Sequence, residues 1–214
     1  MPESTAPLSA ALLDRLHAIV GADFLRTDAD SLAQYGRDRT KNWAAAPCAV
    51  VLPADAQQVQ ALVRLACSEN LAIVPSGGRT GLSGGAVAAH GELVLSLEKM
   101  NRVLGFDADD RILTVQAGAA LETVPAAAQQ HGLIYPVDFA ARGSCSIGGT
   151  IATNAGGIRV IRYGNTRNWI AGVTVVTATG EVLELNRGLV KNSSGFDLRQ
   201  LMIGAEGTLG VVVE

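Results

Sequence analysis

The stretch VPSGGRTGLSGG, residues 74–85, packs five glycines into nine residues directly behind a run that reads as a buried strand. Ordering glycine costs more backbone entropy than ordering any other residue. Glycine therefore concentrates where φ must be positive or where something approaches the backbone closely. A cluster this dense reads either as backbone that a ligand lies against or as a flexible surface loop. Two further clusters follow. The segment SIGGTIATNAGG, residues 146–157, mixes glycine with hydroxyl and amide side chains. The run IGAEGTLGVV spaces Gly204, Gly207 and Gly210 three apart around Glu206. Three loops of this composition point to a long ligand held in an extended pose.

Between the clusters, helical and strand periods alternate. LSAALLDRLHAIVG carries Leu12, Leu13, Leu16, Ile19 and Val20 at helical spacing and stops at Gly21. A shorter helix is expected over residues 28–34, and GRDRTKNWAAAP reads as a polar linker or arm. CAVVL is a short strand closed by Pro53. Asp55 is placed to cap a helix over AQQVQALVRLACSEN, and LAIVP is the next strand. Residues 48–75 thus read as a β-α-β unit. ELVLSL, RVLGFD and ILTVQAG read as consecutive strands, and LETVPAAAQQHG as a helix ending at Gly132 despite Pro125. GVTVVTATGEVLEL reads as two strands turning at Thr179 and Gly180, and DLRQLMIGAEG as a short helix running into a turn. The closing EGTLGVVVE reads as a strand in progress, so the expectation is a truncated chain or an excised domain. The division is an N-terminal helical arm, residues 1–44, and an α+β body, residues 45–214.

Composition removes several classes. A chain of 214 residues with 48% hydrophobic content can bury a large core. A formal net charge of −3 provides no basic stripe for nucleic acid. No apolar run approaches the roughly 20 residues needed to span a membrane. The first residues, with Glu3 and Asp14, lack the basic start and apolar core of a secretory signal. Cys48, Cys67 and Cys145 cannot all pair and show no C-x-x-C spacing, so the expected compartment is a reducing cytoplasm. His17, His90 and His131 fall outside the glycine clusters, each with a structural reading, and no metal site is indicated.

The standard phosphate cradles are absent. There is no G-x-x-x-x-G-K-[ST] run, and no two glycines stand two apart as G-x-G-x-x-G requires. Backbone N–H groups of a glycine loop still form an anion-binding nest. Ser76, Arg79, Thr80 and Ser83 add side-chain donors, enough for a pyrophosphate.

PSGGRTGLSGG, GSCSIGGTIATNAGGIRVIRYG and KNSSGFDLRQLMIGAEGTLG, in that order, resemble the FAD-binding domain of the vanillyl-alcohol oxidase / p-cresol methylhydroxylase (PCMH-type) superfamily. Within it they most resemble the D-lactate, glycolate and D-2-hydroxyglutarate dehydrogenase branch. The resemblance runs from about Cys48 to Glu214. It implies an α+β fold of two α+β subdomains with FAD between them. By that analogy Pro75, Ser76, Gly77, Gly78, Arg79, Thr80, Gly81, Leu82, Gly84 and Gly85 wrap the pyrophosphate. The flavin and ribityl side falls to Pro136, Asp138, Ser144, Cys145, Ile147, Gly148, Gly149, Thr150, Asn154, Ala155, Gly156 and Gly157. Glu206 with Gly210, Val211 and Val212 would close over the nucleotide.

Some members of the superfamily tether flavin through a histidine in a pattern like S-G-G-H. Arg79 stands at that position, so the resemblance implies non-covalent FAD. Arg79 itself reads either as a phosphate partner or as a solvated loop arginine. Cys145 reads as a small buried packing residue rather than a tether, with Arg142 the sole cation nearby in sequence.

The branch implies oxidation of a small 2-hydroxy acid, with hydride transfer to the flavin and onward delivery to an electron acceptor. Arg159 and Arg162 are the nearest candidates for the substrate carboxylate, against the plainer reading of a charged face. No base is legible; the resemblance puts it, and any metal, in a cap domain that follows. Two alternatives stay open: an FAD domain like that of the UDP-sugar enolpyruvyl reductases, and a binding module with no redox role. A cleft built for FAD and a cap exposes apolar surface, so a homo-oligomer is expected.

Overall fold

The computed structural model describes residues 8–214. Residues 1–7, on which part of the signal-sequence reading falls, lie outside the described residues.

The first half is built on a four-stranded sheet, ordered β1-β2-β4-β3. Its strands are β1 (Leu25–Arg26), β2 (Ala49–Val51), β3 (Ile73–Ser76) and β4 (Leu93–Ser96). β2, β4 and β3 run parallel, and β1 is antiparallel to β2. β2, α3 (Ala56–Ser68) and β3 form the expected strand-helix-strand unit, yet β4 takes the place between the two strands. Every residue of β4 is buried: β2 and β3 pair with its two edges, and hydrophobic clusters cover its two faces.

Alternation along these strands sorts two cores. Ala49, Val51, Leu93 and Leu95 join Leu16 of α1 (Ala10–Val20) and Val59 and Leu62 of α3. Val50, Leu52 and Val94 form a smaller cluster against Leu32 and Tyr35 of α2 (Ala29–Tyr35). Asp55 caps α3, accepting from the Gln58 N–H at 2.8 Å, as its position in the sequence requires. The stretch read as an N-terminal arm packs onto this half: Leu16, Val20 and Leu25 enter the larger core.

The second half holds the antiparallel pair β5 (Val103–Asp107) and β6 (Ile112–Val115) and a three-stranded antiparallel sheet. That sheet is ordered β8-β7-β9, with β7 (Val173–Thr177), β8 (Val182–Leu185) and β9 (Gly210–Val212). The β7–β8 turn holds Gly180 at φ +76°, as the Thr179–Gly180 reading requires. α4 (Thr123–Gln129) is shorter than the sequence suggests. Its Pro125 sits in the first turn, where a backbone N–H has no intrahelical acceptor to lose.

α5 (Ile147–Ala152) is a helix where glycine content reads as loop. Ser146 caps it, its Oγ accepting from the Gly149 N–H at 3.2 Å. Gly148 lets it lie against the chain after β6: a Cβ there would stand 2.7 Å from Ala117 Cβ. A cap and close packing outweigh the weak helix propensity of two glycines. α6 (Val160–Tyr163), a 3-10 turn at Thr166–Trp169 and α7 (Arg199–Met202) complete the chain.

Candidate functional site

β3 ends at Ser76 and passes directly into the first glycine loop, at the carboxyl edge of the parallel strands. That edge is where open α/β sheets receive ligands. A cavity of about 460 Å³ lies there, where all three glycine clusters converge. Its size falls within the ~300–1,000 Å³ usual for small-molecule sites. One wall is loop 75–83 with Gly85 and Ala86; Cys145, Ser146 and residues 148–150 form a second; residues 205–207 and 210–212 form a third. Leu97, Phe139, Ala141 and Met202 add an apolar face.

The walls differ in what they offer. None of the backbone N–H groups from Gly77 to Ser83 donates to another group among the described residues, and all these residues line the cavity. Backbone donors are obligatory hydrogen-bonding groups, so a run left unspent in a cavity wall is a row of donors for a ligand acceptor. The second wall has spent its donors apart from the Ser146 N–H. The N–H groups of Ser144 and Cys145 go to Ala141 O, of Ile147 to Ala119 O, of Gly148 to Ala117 O, and of Gly149 to Ser146 Oγ. In the third, Glu206 N–H donates to Ala152 O. The unbroken row of free donors therefore belongs to the first loop, while the other two walls give the cavity its shape and add the single free N–H groups of Ser146 and Gly207.

The glycines sort in the same way. A Cβ on Gly77 would stand 2.1 Å from Ser146 Oγ, and one on Gly78 would stand 1.8 Å from Ser144 O. Those two glycines join the first wall to the second. Gly81, Gly85 and Gly149 are different: a Cβ there would meet no backbone, only side-chain oxygens at 3.1 Å or beyond. None of the three has a positive φ. What these glycines provide is bare backbone facing the cavity.

Several residues the sequence points to stand behind the walls. Gly84, φ +85°, lies under the Trp43 ring and gives its N–H to Asp38 Oδ2 at 2.9 Å. Pro136 and Ile147 are buried, Ile147 within the main core. Asp138 is held by Arg142 at 3.0 Å and Arg159 at 3.6 Å. Its carbonyl sits where a Cβ on Gly157, φ +83°, would come within 2.3 Å. Ser144 offers its carbonyl to the Gly78 contact. Asn154, φ +46°, accepts from the Arg167 N–H at 3.0 Å, and Gly156 faces Val160. Pro75, Ser76, Arg79, Thr80, Leu82, Thr150, Ala155, Glu206, Val211 and Val212 are in the lining.

The charged and reactive candidates are tied down. The Arg79 guanidinium lies 4.5 Å from the Tyr35 ring centroid and donates to Gly77 O at 3.2 Å. Tyr35 donates to Glu98 at 2.7 Å, and burial and that carboxylate push its hydroxyl up to about 12. Burial likewise pushes the Cys145 thiol up to about 11, so it is a protonated wall group at neutral pH. Arg162 stacks over Tyr163, and His131 stacks on Phe106 at 3.7 Å. Asp38, Phe139 and Met202 line the cavity without a signal in the sequence: Asp38 is one charge in a polar linker, and the other two are isolated apolar residues. Among the described residues no group of three His, Cys, Asp or Glu is placed to hold a metal, and no helix is long and apolar enough to cross a membrane.

This architecture recurs in known structures. Alkyldihydroxyacetonephosphate synthase superposes with a TM-score of 0.85 at 24% identity, covering 98% of this chain and 40% of that one. p-Cresol methylhydroxylase with substrate bound gives 0.75 at 20% identity, covering 100% and 44%. At such identities the likeness defines the fold, α+β and of the PCMH type. A family model described as an FAD binding domain matches residues 47–186, and the chain belongs to that family. Among curated relatives, the D-2-hydroxyglutarate dehydrogenase of Xanthomonas citri pv. viticola is 66% identical over 199 residues, 93% of this chain and 42% of the relative. That of Stutzerimonas stutzeri is 57% identical over 204 residues, 95% of this chain and 44% of the relative. The chain spans less than half the length of these relatives.

The cavity suits the family's cofactor. FAD joins a pyrophosphate to a flat, largely apolar ring system. The unspent N–H row and the bare glycines match the first, and the Leu97, Phe139 and Met202 face matches the second.

Proposed function

We propose that this chain is the FAD-binding part of a flavoenzyme that oxidises a 2-hydroxy acid, with D-2-hydroxyglutarate the first substrate to test. The observation that carries the reading is the run of unspent N–H groups from Gly77 to Ser83 in a cavity wall, in a chain 66% identical to a D-2-hydroxyglutarate dehydrogenase. When bound, FAD supplies the acceptor for the two electrons removed with the hydroxyl-bearing carbon's hydrogen. The chain's own residues bind and orient. Loop 77–83 holds the pyrophosphate, Gly81, Gly85 and Gly149 keep its approach bare, and Phe139, Met202 and Val212 exclude water from the ring side.

The cofactor is held without a covalent bond. Arg79 occupies the position of the tethering histidine and is engaged with Tyr35, and Cys145 is protonated and buried. The residues behind the walls, from Gly84 and Pro136 through Asp138 and Ser144 to Gly157, belong to the same site by fixing the walls. Arg159 pairs with Asp138, so the substrate carboxylate, the base and the electron acceptor are assigned to the remaining length of the whole protein. The boundary at residues 44–45, a cytoplasmic location and self-association through exposed Ile161 and Phe196 complete the proposal.

The test is anaerobic mixing of the whole FAD-loaded protein with candidate substrates. D-2-hydroxyglutarate bleaches the flavin absorbance, and its L enantiomer does not. Bleaching by NADPH alone, with no response to any 2-hydroxy acid, would replace this reading with the reductase one.

A further inference from the structure

Beside the cavity a second crevice of about 460 Å³ opens between residues 37–41 and the first glycine loop. Arg37, Arg39, Lys41 and Arg79 line it, four of the 17 Lys and Arg residues in a chain of net charge −3. Arg37, Arg39 and Lys41 are exposed, and none of the four forms an ion pair among the described residues. Asp38 is the single acid in the lining, and its carboxylate is engaged by backbone. Oδ1 accepts from Thr40 N–H at 2.7 Å and Oδ2 from Gly84 N–H at 2.9 Å.

The cations are not on a loose arm. Arg39 N–H donates to Gly81 O at 3.0 Å, and Ala88 N–H donates to Gly36 O at 2.9 Å. Trp43 covers Gly84. The segment is therefore stapled to the glycine loop at both ends, and its charges keep a fixed relation to that loop. Gly78 and Arg79 belong to the walls of both crevice and cavity, and their N–H groups are unspent. A guanidinium has five donors, and Arg79 commits one of them to Gly77 O.

We infer that this crevice is a phosphate-binding site, formed by Arg37, Arg39, Lys41 and Arg79 around the Gly78–Arg79 peptide. Fixed cations and free N–H groups together recognise a phosphoryl dianion through charge-assisted hydrogen bonds. The phosphoryl group has two sources: the pyrophosphate of FAD itself, which rests on the functional reading above, or a separate phosphorylated ligand held beside it.

The experiment is calorimetric titration of the wild-type protein and an Arg39→Gln/Lys41→Gln double variant. The probes are inorganic pyrophosphate and FAD, with pyrophosphate added to both FAD-free and FAD-saturated protein. Both substitutions are at exposed positions, and an unchanged melting temperature verifies the variant's fold. Pyrophosphate binding weakens about tenfold or more in the variant, the scale of charge-assisted hydrogen bonds, and weakens in the wild type as salt is raised. If FAD saturation abolishes pyrophosphate binding and the variant loses FAD affinity alongside, the phosphoryl group is FAD's own. If pyrophosphate still binds FAD-saturated protein and the variant keeps its FAD affinity, the site serves a separate ligand. A variant with unchanged affinity for both probes overturns the inference. A wild type that binds pyrophosphate at this crevice but no FAD supports it while removing the functional reading.

Discussion

Gly78 and Ser144 meet backbone to backbone: a Cβ on Gly78 would stand 1.8 Å from the Ser144 carbonyl oxygen and 2.6 Å from Cys145 Cα. This contact locks the loop that carries the row of free donors to the segment that leads into α5. The glycine pair at 77–78 therefore serves the protein's own packing before it serves any ligand. Gly78→Ala should lower the melting temperature of ligand-free protein. Overpacking costs up to about 3 kcal/mol, which corresponds to a fall of roughly 6–12 °C in a domain of this size. Scanning calorimetry without FAD checks it, and an unchanged melting temperature would show that the loops separate at no cost.

Gly149→Ala should do the opposite. Gly149 lies inside α5 and its missing Cβ would meet no backbone, only the Ser146 Oγ at 3.2 Å; once that hydroxyl shifts slightly, alanine favours the helix by about 0.5–1 kcal/mol. The same methyl group projects into the cavity wall. The expected result is a melting temperature equal to or above wild type, with FAD bound about tenfold or more weakly. Unchanged FAD affinity would remove Gly149 from the wall.

Cys145 gives a pH signature. Its thiol is raised from 9.0 to about 11 by burial, so the folded protein resists its ionisation more than the unfolded chain does. The resulting stability is fully present below pH 9.0 and is lost as pH rises toward about 11. Cys145→Ser should make this part of the stability profile shallower, measured by denaturant titration, with the remaining slope carried by Cys48, whose thiol burial also raises. Iodoacetamide at neutral pH should label exposed Cys67 and leave Cys145 unmodified in the folded protein, read by peptide mass spectrometry. Labelling of Cys145 at the rate of Cys67 would contradict the assignment.

Asp38 acts through the loop. Its two carboxylate oxygens hold Thr40 and Gly84 N–H groups, so Asp38→Ala frees the end of the glycine loop. Amide hydrogen exchange should quicken at residues 84–88 while the α3 amides stay protected. Exchange unchanged at those residues would mean that Trp43 and the backbone staples suffice without the carboxylate.

The sequence and the structure agree where one physical rule acts alone. α3 follows from Asp55 and an apolar stripe, and the β7–β8 turn follows from Gly180. They part where tertiary contact decides. α5 reads as loop because its glycines look like flexibility, whereas a Ser146 cap and the Ala117 contact make it a helix. β4 enters between β2 and β3, a pairing of strands distant in sequence that no local pattern announces. At the site, glycine density located all three walls, and the cavity collects them. It could not separate glycines that pack, such as Gly78 and Gly148, from those that leave bare surface, such as Gly81 and Gly149. That difference lies in the neighbours each missing Cβ would meet. Asp38 and Arg39 lay in a stretch read as linker, because bonds to a loop more than 40 residues away leave no periodic trace.

The most direct test of the central claim is a combined melting and visible-absorbance titration with FAD, with FMN and ADP as controls. A ligand that binds the folded state alone raises stability by about 2.7 kcal/mol at a hundred times its dissociation constant. FAD should give a saturable rise in melting temperature, FMN and ADP weaker rises, and denaturation should release the flavin in full. No rise with FAD, or a rise that FMN matches in full, would contradict a dinucleotide held on the Gly77–Ser83 donors.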